Sequence, residues 1–243
     1  MNPAQRIATL EAELAALRGE MQAFAHTVSH DLRAPLRHIV SYAQLVQEDA
    51  GPLLNAEVQG FLATMTDSAR HMGRMLDGLN ALSQMGTATV TLAPVPLNAL
   101  VDEVVAGLAR QQPNRVIEWR VAPDLPTVLA DTALLRQALQ QVLGNAVKFT
   151  ASRASAVVDI DTAASESAGF ATLQVRDNGV GYNPAQQAAL FKVFGRLHTA
   201  KQFDGMGMGL VLCRKALARM GASVDTHSSL DGGCTATLQL PLA

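Results

Sequence analysis

The run Phe24-Ala25-His26-Thr27-Val28-Ser29-His30-Asp31-Leu32-Arg33-Ala34-Pro35-Leu36 decides how the first part of this chain folds. Val28, Leu32 and Leu36 follow one another at steps of four, which is typical of one face of an amphipathic helix. With Val28 on the buried side, His30 lies about 200° away around the helix and faces solvent. Pro35 removes the backbone hydrogen bond to the Asp31 carbonyl and predicts a bend there. The run therefore predicts an exposed histidine beside a carboxylate.

The segment before this run has a heptad pattern, with apolar residues at alternating steps of three and four. The seam comprises Ile7, Leu10, Leu14, Leu17, Met21, Phe24 and Val28. It predicts a short coiled coil, and the two steps of four that follow are a stutter that unwinds the supercoil locally. Gly51-Pro52 ends the helix, and a second amphipathic helix follows. A dimer of such hairpins would bury both seams in a four-helix bundle. The alternative is a monomeric first helix that lies on the second domain.

Composition limits the class of function. The chain has 243 residues and a formal net charge of −2, which gives no electrostatic case for a nucleic acid or an anionic membrane as partner. Cys213 and Cys234 follow no metal-binding spacing, so we expect a reduced, cytoplasmic protein. The sequence has no secretory signal and no apolar run long enough to span a bilayer. We therefore expect no direct membrane insertion, although the chain would also suit the cytoplasmic part of a larger receptor.

From Met85 onward the pattern changes to short strands that alternate with helices. We expect strands at 91–96, 115–121, 156–161, 170–177, 222–228 and 235–240, and helices at 98–109, 132–149 and 209–220. Asn98 and Asp131 are the expected caps of the first two helices. This order predicts an α/β sandwich with helices on one face of a mixed sheet.

A polar stripe runs along the longest of these helices, separate from its apolar face. It consists of Gln137, Gln141, Asn145 and Lys148, spaced at steps of four, four and three. An amide oxygen is a suitable ligand for a hard cation, and a lysine is a suitable partner for phosphate. Asn145 and Lys148 are therefore candidates for a metal–polyphosphate site. For this helix in isolation, a solvated polar face is the preferred interpretation.

Asp177 lies at the end of an apolar row formed by Ala171, Leu173 and Val175 at period two. A carboxylate that emerges from a buried row needs a hydrogen-bond donor. Gly179 and Gly181 follow, and glycine allows a ligand to approach the backbone closely. An ordinary Asx turn at the strand end is the alternative.

Glycines 205, 207 and 209 open the last predicted helix. Free N–H groups at a helix N-terminus favour phosphate, although a glycine triplet is also typical of a flexible turn.

Taken in order, the His30 run, Asn145–Phe149, Asp177–Gly181 and Gly205–Gly209 resemble the phosphoacceptor and ATP-binding boxes of the sensor histidine kinases of two-component signalling. The resemblance covers the chain from about residue 23 to its end. It is greatest to kinases that follow phytochrome or PAS sensor modules. It implies an α+β chain: a helical-hairpin dimerisation bundle, four-helix in the dimer, followed by an α/β sandwich of the histidine kinase and gyrase-type ATPase class. The implied domains are a coiled-coil signalling helix at 1–22, a phosphoacceptor domain at 23–86 and an ATP-binding domain at 87–243.

The resemblance also implies the chemistry. His30 would accept the phosphoryl group, and Asp31 would hold the proton on its other ring nitrogen. ATP and Mg²⁺ would be the cofactors. Asn145 would bind the metal, and Asp177 would bind the adenine amine. The other ATP-binding residues implied are Lys148, Gly179, Gly181, Arg196, Gly205, Gly207, Gly209, Leu210 and Thr235, with residues 182–204 as a mobile lid. The implied partners are a response regulator receiver domain, a second copy of the chain and an upstream sensor module.

Some positions depart from the family pattern. Gln141 stands where asparagine is usual, Val193 where proline is frequent and Asp231 where glycine is usual. Ala34, four residues after His30, stands where relatives that dephosphorylate their regulator have threonine or asparagine, so we expect weak phosphatase activity.

Two other functions compete with a kinase: an ATPase of the wider superfamily that drives a conformational cycle, and a nucleotide-binding scaffold without phosphotransfer. Position 141 is not the glutamate that would activate water, which argues against the ATPase. The presence of His30, Asn145 and Asp177 together argues against the scaffold.

Overall fold

The computed structural model describes residues 2–86, 89–165, 167–199 and 202–243. The chain divides into two compact units, Met1–Ala88 and Thr89–Ala243. The predicted boundary between residues 86 and 87 adjoins residues 87 and 88, which lie outside the described residues.

The first unit is a helical hairpin. Helix α1 spans Pro3–Ala50 and continues through Pro35, and helix α2 spans Ala56–Gln84. A single turn of 3₁₀ helix at Gly51–Leu53 joins them, as the Gly-Pro pair predicts. The Asn55 side chain caps α2 by accepting a hydrogen bond of 2.9 Å from the Val58 N–H.

Small side chains lie where the two helices of the hairpin pack together. Buried small residues of the two helices include Ala25, Ser29, Ala43, Ala69 and Gly78. Ser29 Oγ donates to the Leu76 carbonyl at 3.4 Å, and Arg33 Nη2 donates to Asp77 Oδ1 at 2.9 Å. The heptad seam, in contrast, is open: the side chains of Ile7, Leu10, Leu14, Leu17, Met21 and Phe24 are between 47% and 66% exposed in the single chain. A second apolar face therefore remains on α1.

The second unit contains two sheets. The larger has the order β2-β4-β5-β7-β6, with strands Ile117–Val121, Ala156–Ala163, Phe170–Asp177, Cys234–Pro241 and Ser223–Ser228. Its β2–β4 pair is parallel and the others are antiparallel, so the sheet is mixed, as predicted. The smaller sheet pairs β1, Ala93–Pro96, with β3, Thr127–Ala130. Strand β3 is not among the predicted strands, since its four residues show no clear period-two pattern.

The helices of this unit are α3 at Leu97–Gln111, α4 at Thr132–Phe149, the short α5 at Gln187–Leu190 and α6 at Gly209–Ala218. The prediction that Asp131 caps α4 is confirmed, since its Oδ1 accepts from the Ala133 and Leu134 N–H groups. The prediction that Asn98 caps α3 is wrong. The helix begins one residue earlier, at Leu97, and the Asn98 Nδ2 donates instead to the Ala122 carbonyl at 2.7 Å.

The core of the second unit lies between the helices and one face of the larger sheet. The α4 residues Leu135, Leu139 and Leu143 are fully buried, as are the strand residues Val158, Ile160, Leu173 and Leu238. The opposite face of the sheet carries exposed ion pairs such as Arg120 with Glu118 and Asp159. The predicted fold class, a helical hairpin followed by an α/β sandwich, is confirmed. Within the described residues, no helix combines the length and apolar character needed to cross a bilayer.

Candidate functional site

A cavity of about 320 Å³ opens in the second unit beside α4, the end of β5 and the start of α6. Most of the residues selected from the sequence line it. They are Asn145, Lys148, Asp177, Gly181, Arg196, Gly205, Gly207, Gly209 and Leu210. These residues come from four separate stretches of sequence, and only the fold brings them together.

Helix α4 carries the polar stripe along one wall of this cavity. Gln141, Asn145 and Lys148 line it, whereas Gln137, one turn earlier, does not. Within the described part of the chain, the Asn145 amide has no protein hydrogen-bond partner, so its oxygen can serve as a ligand. Lys148 Nζ lies 4.2 Å from the centroid of the Phe149 ring. Burial, and then the charge of Arg196, lower the pKa of Lys148.

Asp177 forms the polar end of an otherwise apolar wall. Its Oδ1 accepts a hydrogen bond of 2.8 Å from the Gly179 N–H. Burial raises the pKa of this carboxyl to about 6, although backbone N–H groups of Gly179 and Cys234 and the charge of Arg153 favour its ionised form. Such a carboxylate, in contact with a cavity, can accept a hydrogen bond from a ligand.

The glycine-rich stretch crosses the cavity and leads into α6, as predicted. Gly207 has a φ of 70°, and a Cβ there would lie 2.3 Å from the Gly195 carbonyl, so only glycine fits. Met208 precedes α6 as its N-cap without a side-chain hydrogen bond. The first N–H groups of the helix are therefore available to an anion.

The predicted lid runs from Tyr182 to Asp204 and includes residues 200 and 201, which lie outside the described residues. Within its described part, Arg196 lines the cavity and its Nη2 donates to the Phe203 carbonyl at 2.7 Å.

Two predicted site residues have a different position from the one expected. Thr235 does not line the cavity, whereas Cys234 and Ala236 on either side of it do. Because successive residues of a strand point to opposite faces, the Thr235 side chain points away from the cavity, and its role in ATP binding stays a prediction. Gly179 is also absent from the lining, and it contributes through its N–H bond to Asp177.

Several residues of the cavity wall are not among the predicted site residues. Cys234 lies opposite Asp177 in the β5–β7 register, and burial followed by the Asp177 charge raises the pKa of its thiol to about 12. The rings of Phe149, His198 and Phe203 form a cluster with centroids 5.1–5.4 Å apart. His198 Nε2 donates to the Gly181 carbonyl at 3.0 Å, which fixes its place. The strand register would have indicated Cys234, but no local signal marks the cluster.

His30 lies on α1 in the first unit, and its side chain is 75% exposed, so the prediction that it faces solvent is confirmed. Its Nδ1 lies 3.1 Å from Asp31 Oδ1. His26 and His38 are exposed as well. In the described residues, no group of three or more histidine, cysteine, aspartate or glutamate side chains is arranged to hold a metal ion.

Comparison with known proteins gives one family model for each of the two units of the chain. Residues 20–88 match the model of the His Kinase A (phospho-acceptor) domain. Residues 130–243 match the model of the histidine kinase-, DNA gyrase B-, and HSP90-like ATPase. The chain has the two-domain core of the sensor histidine kinases.

Two of the curated relatives are much longer than this chain. Cyanobacterial phytochrome A of Nostoc is 28% identical over the whole chain, and the circadian input-output histidine kinase CikA of Synechococcus elongatus is 30% identical over 93% of it. The matched regions are only 31% and 30% of those two proteins, so the chain spans about a third of their length. Among solved structures, full-length ShkA in complex with AMPPNP is similar over 91% of the chain and 46% of that protein, with a TM-score of 0.62 and 28% identity.

Proposed function

We propose that this chain is an ATP-dependent protein-histidine kinase that phosphorylates His30 and passes the phosphoryl group to an aspartate of a response regulator receiver domain. The observation that carries the proposal is the cavity, in which the Asn145 amide, the half-buried Lys148 and the Asp177 carboxylate meet a glycine-rich helix start. The exposed His30–Asp31 pair on a matched phosphoacceptor domain supplies the acceptor.

Asp177 is the proposed recognition group for the base. As an ionised carboxylate it only accepts hydrogen bonds, so it pairs with the exocyclic amine of adenine. Guanine has a carbonyl oxygen at the same position and would be repelled. The apolar residues Val142, Ala146 and Leu212 around the cavity suit the faces of a purine ring.

The triphosphate is proposed to lie between Lys148 and the start of α6. The lysine offers a positive charge, and the helix N-terminus offers unpaired N–H groups. A magnesium ion fits this site, because one amide oxygen from Asn145 together with phosphate oxygens and waters is a typical ligand set for that metal. Bound there, the ion would neutralise charge on the phosphates.

His30 is proposed to act as the nucleophile through Nε2. With the proton held on Nδ1 by Asp31, the lone pair on Nε2 is free to form a bond to the γ-phosphorus. The bond from that phosphorus to the bridging oxygen breaks, and ADP leaves with the electron pair. Asp31 stabilises the positive charge that develops on the ring.

The first unit is proposed to form a homodimer. Its heptad seam is exposed in the single chain, and so are Phe61, Met65 and Met72 on α2. A second copy would bury both faces in a four-helix bundle. Light scattering after size exclusion tests this, and a monomer at micromolar concentration would refute it. An upstream sensor module is part of the same proposal, since the chain spans about a third of its phytochrome relative. A cytoplasmic location is proposed as well.

Incubation with γ-labelled ATP tests the central proposal. We expect label on the protein that is lost in acid and kept in base, as a phosphoramidate requires. His30→Ala should abolish the label and leave ATP affinity unchanged, while the matched variant His26→Ala should label normally. Release of inorganic phosphate without protein label would favour the ATPase, and ATP binding with neither product would favour the scaffold.

A further inference from the structure

Arg153, to which no sequence motif assigned a role, lies just after the end of α4 and binds the turn that follows Asp177. Its Nε donates to the Asn178 carbonyl at 2.8 Å. Its Nη2 donates to the Gly179 carbonyl at 2.8 Å and to the Asp231 carbonyl at 2.9 Å. The side chain is only 31% exposed. One guanidinium therefore makes three charge-assisted bonds to main-chain oxygens of two turns.

The peptide group between Asn178 and Gly179 is held at both ends. Its carbonyl oxygen accepts from Arg153, and its N–H donates to Asp177 Oδ1 at 2.8 Å. A cation on the carbonyl side polarises the peptide and strengthens the bond that its N–H makes. Arg153 thus acts on the Asp177 carboxylate through a single peptide plane.

The second turn, residues 229–233, is fixed to the first by direct backbone contact. The Asp231 N–H donates to the Val180 carbonyl at 2.8 Å. A Cβ on Gly233 would lie 1.9 Å from the Asp177 carbonyl oxygen, so no other residue allows this approach. By joining both turns, Arg153 fixes the end of the wall on which Asp177 is presented to the cavity.

We propose that Arg153 is the positioning residue for purine recognition in this chain, and that it sets adenine affinity and selectivity by orienting and polarising the Asn178–Gly179 peptide. The inference rests on the proposed function, in which Asp177 binds adenine. Arg153 is not among the residues that line the cavity. Its effect should therefore be on the base and not on the phosphates.

Binding and kinetics of Arg153→Met test this. Affinities for ATP, GTP and inorganic tripolyphosphate, each with Mg²⁺, are measured by competition with a fluorescent ATP analogue. We expect the Kd for ATP to rise roughly tenfold, as for loss of one charged hydrogen bond. The ratio of GTP to ATP affinity should rise, and tripolyphosphate should bind as to wild type. The KM for ATP in the labelling assay should rise, while the rate at saturating ATP is retained.

Two further variants make the result decisive. Arg120→Met removes an exposed arginine that pairs on the opposite face of the sheet and should change none of these values. Arg153→Lys keeps the positive charge but lacks the planar guanidinium that donates several hydrogen bonds at once, so it should give an intermediate Kd for ATP. This variant can be tested in place of Arg153→Met if the latter does not fold. Equal losses of ATP and tripolyphosphate affinity would overturn the inference. The inference would also be wrong if Asp177→Asn weakened ATP binding while both Arg153 variants bound ATP like the wild type. If Asp177→Asn itself bound ATP like wild type, the proposed base site would fail first.

Discussion

The Nδ1 atom of His30 lies 3.1 Å from Oδ1 of Asp31, on an exposed stretch of α1. The two side chains are 75% and 69% exposed, so solvent screens their attraction and the pair adds little to stability. Its consequence is chemical. A hydrogen bond at Nδ1 selects the tautomer in which Nε2 carries a free lone pair.

Asp31→Asn should therefore slow phosphorylation without affecting the fold. We expect the initial labelling rate to fall roughly 10²-fold, the scale of a positioned acid–base group, with ATP affinity and the unfolding midpoint unchanged. Asp67→Asn, which changes another exposed carboxylate of the hairpin, is the control. Wild-type labelling by Asp31→Asn would show that the 3.1 Å contact has no role in the reaction.

Asn145→Ala should remove the part of ATP affinity that depends on Mg²⁺. The loss of one ligand contact of about 1.5 kcal/mol corresponds to roughly a tenfold higher Kd with Mg²⁺ present. The Kd measured in EDTA should stay the same. Gln137→Ala, on the same stripe but outside the cavity wall, should behave as wild type. An equal loss with and without the metal would contradict the assignment of Asn145 as a ligand.

The Asp177 carboxyl should make the stability of the nucleotide-free protein depend on pH. Burial raises its pKa from an ordinary value of 3.8 to about 6. Its stabilising contribution is full below pH 4 and is lost as pH rises through 6, because the unfolded chain then ionises more easily than the folded one. Relative to Asp177→Asn, the wild-type free energy of unfolding should fall across this window by on the order of 3 kcal/mol.

Urea denaturation of both proteins between pH 4 and pH 8 measures this difference. Asp225→Asn, at an aspartate on β6 whose Oδ1 accepts from Gln187, controls for substitution of a surface carboxylate. A difference between wild type and Asp177→Asn that does not vary with pH would mean that Asp177 is not buried enough to resist ionisation.

Asp131 joins the start of α4 to the segment that precedes β1. Its carboxylate caps α4, and its Oδ2 accepts from the Thr91 N–H at 2.9 Å. Asp131→Ala should lower the free energy of unfolding by about 1–2 kcal/mol, the usual cost of a lost N-cap. Asp131→Asn keeps an acceptor oxygen and should cost less. Equal stability of all three proteins in urea denaturation would show that the cap is unimportant.

Ala34 predicts weak regulator-phosphatase activity. It lies one helical turn after His30 and shares its face, but its methyl group cannot orient a water molecule. The decay of a purified phosphorylated regulator with this protein and ADP should be slow, and Ala34→Thr should accelerate it. Rapid release of inorganic phosphate by the unaltered chain, undiminished in His30→Ala, would mean that another group positions the water.

Features that depend on local spacing can be predicted from the sequence alone. The solvent-facing position of His30 follows from helical periodicity, and the start of α4 follows from the acceptor side chain of Asp131 just before an apolar-periodic run. Strand β5 has the predicted bounds Phe170–Asp177, because its apolar residues recur at period two up to a polar turn. These patterns need no knowledge of distant contacts.

The strand neighbours and turns that complete the cavity depend on contacts between distant parts of the chain. The sequence does not show which of the neighbours Cys234 and Thr235 faces the cavity. The pairing of Asp177 with Cys234 places the cysteine on the cavity side. Asn98 has the chemistry of a cap, but the distant Ala122 carbonyl takes its amide. Arg153 acquires its role because three carbonyls from separate turns converge on it. Such hydrogen bonds join residues 24–78 positions apart, and local propensity carries no information about them.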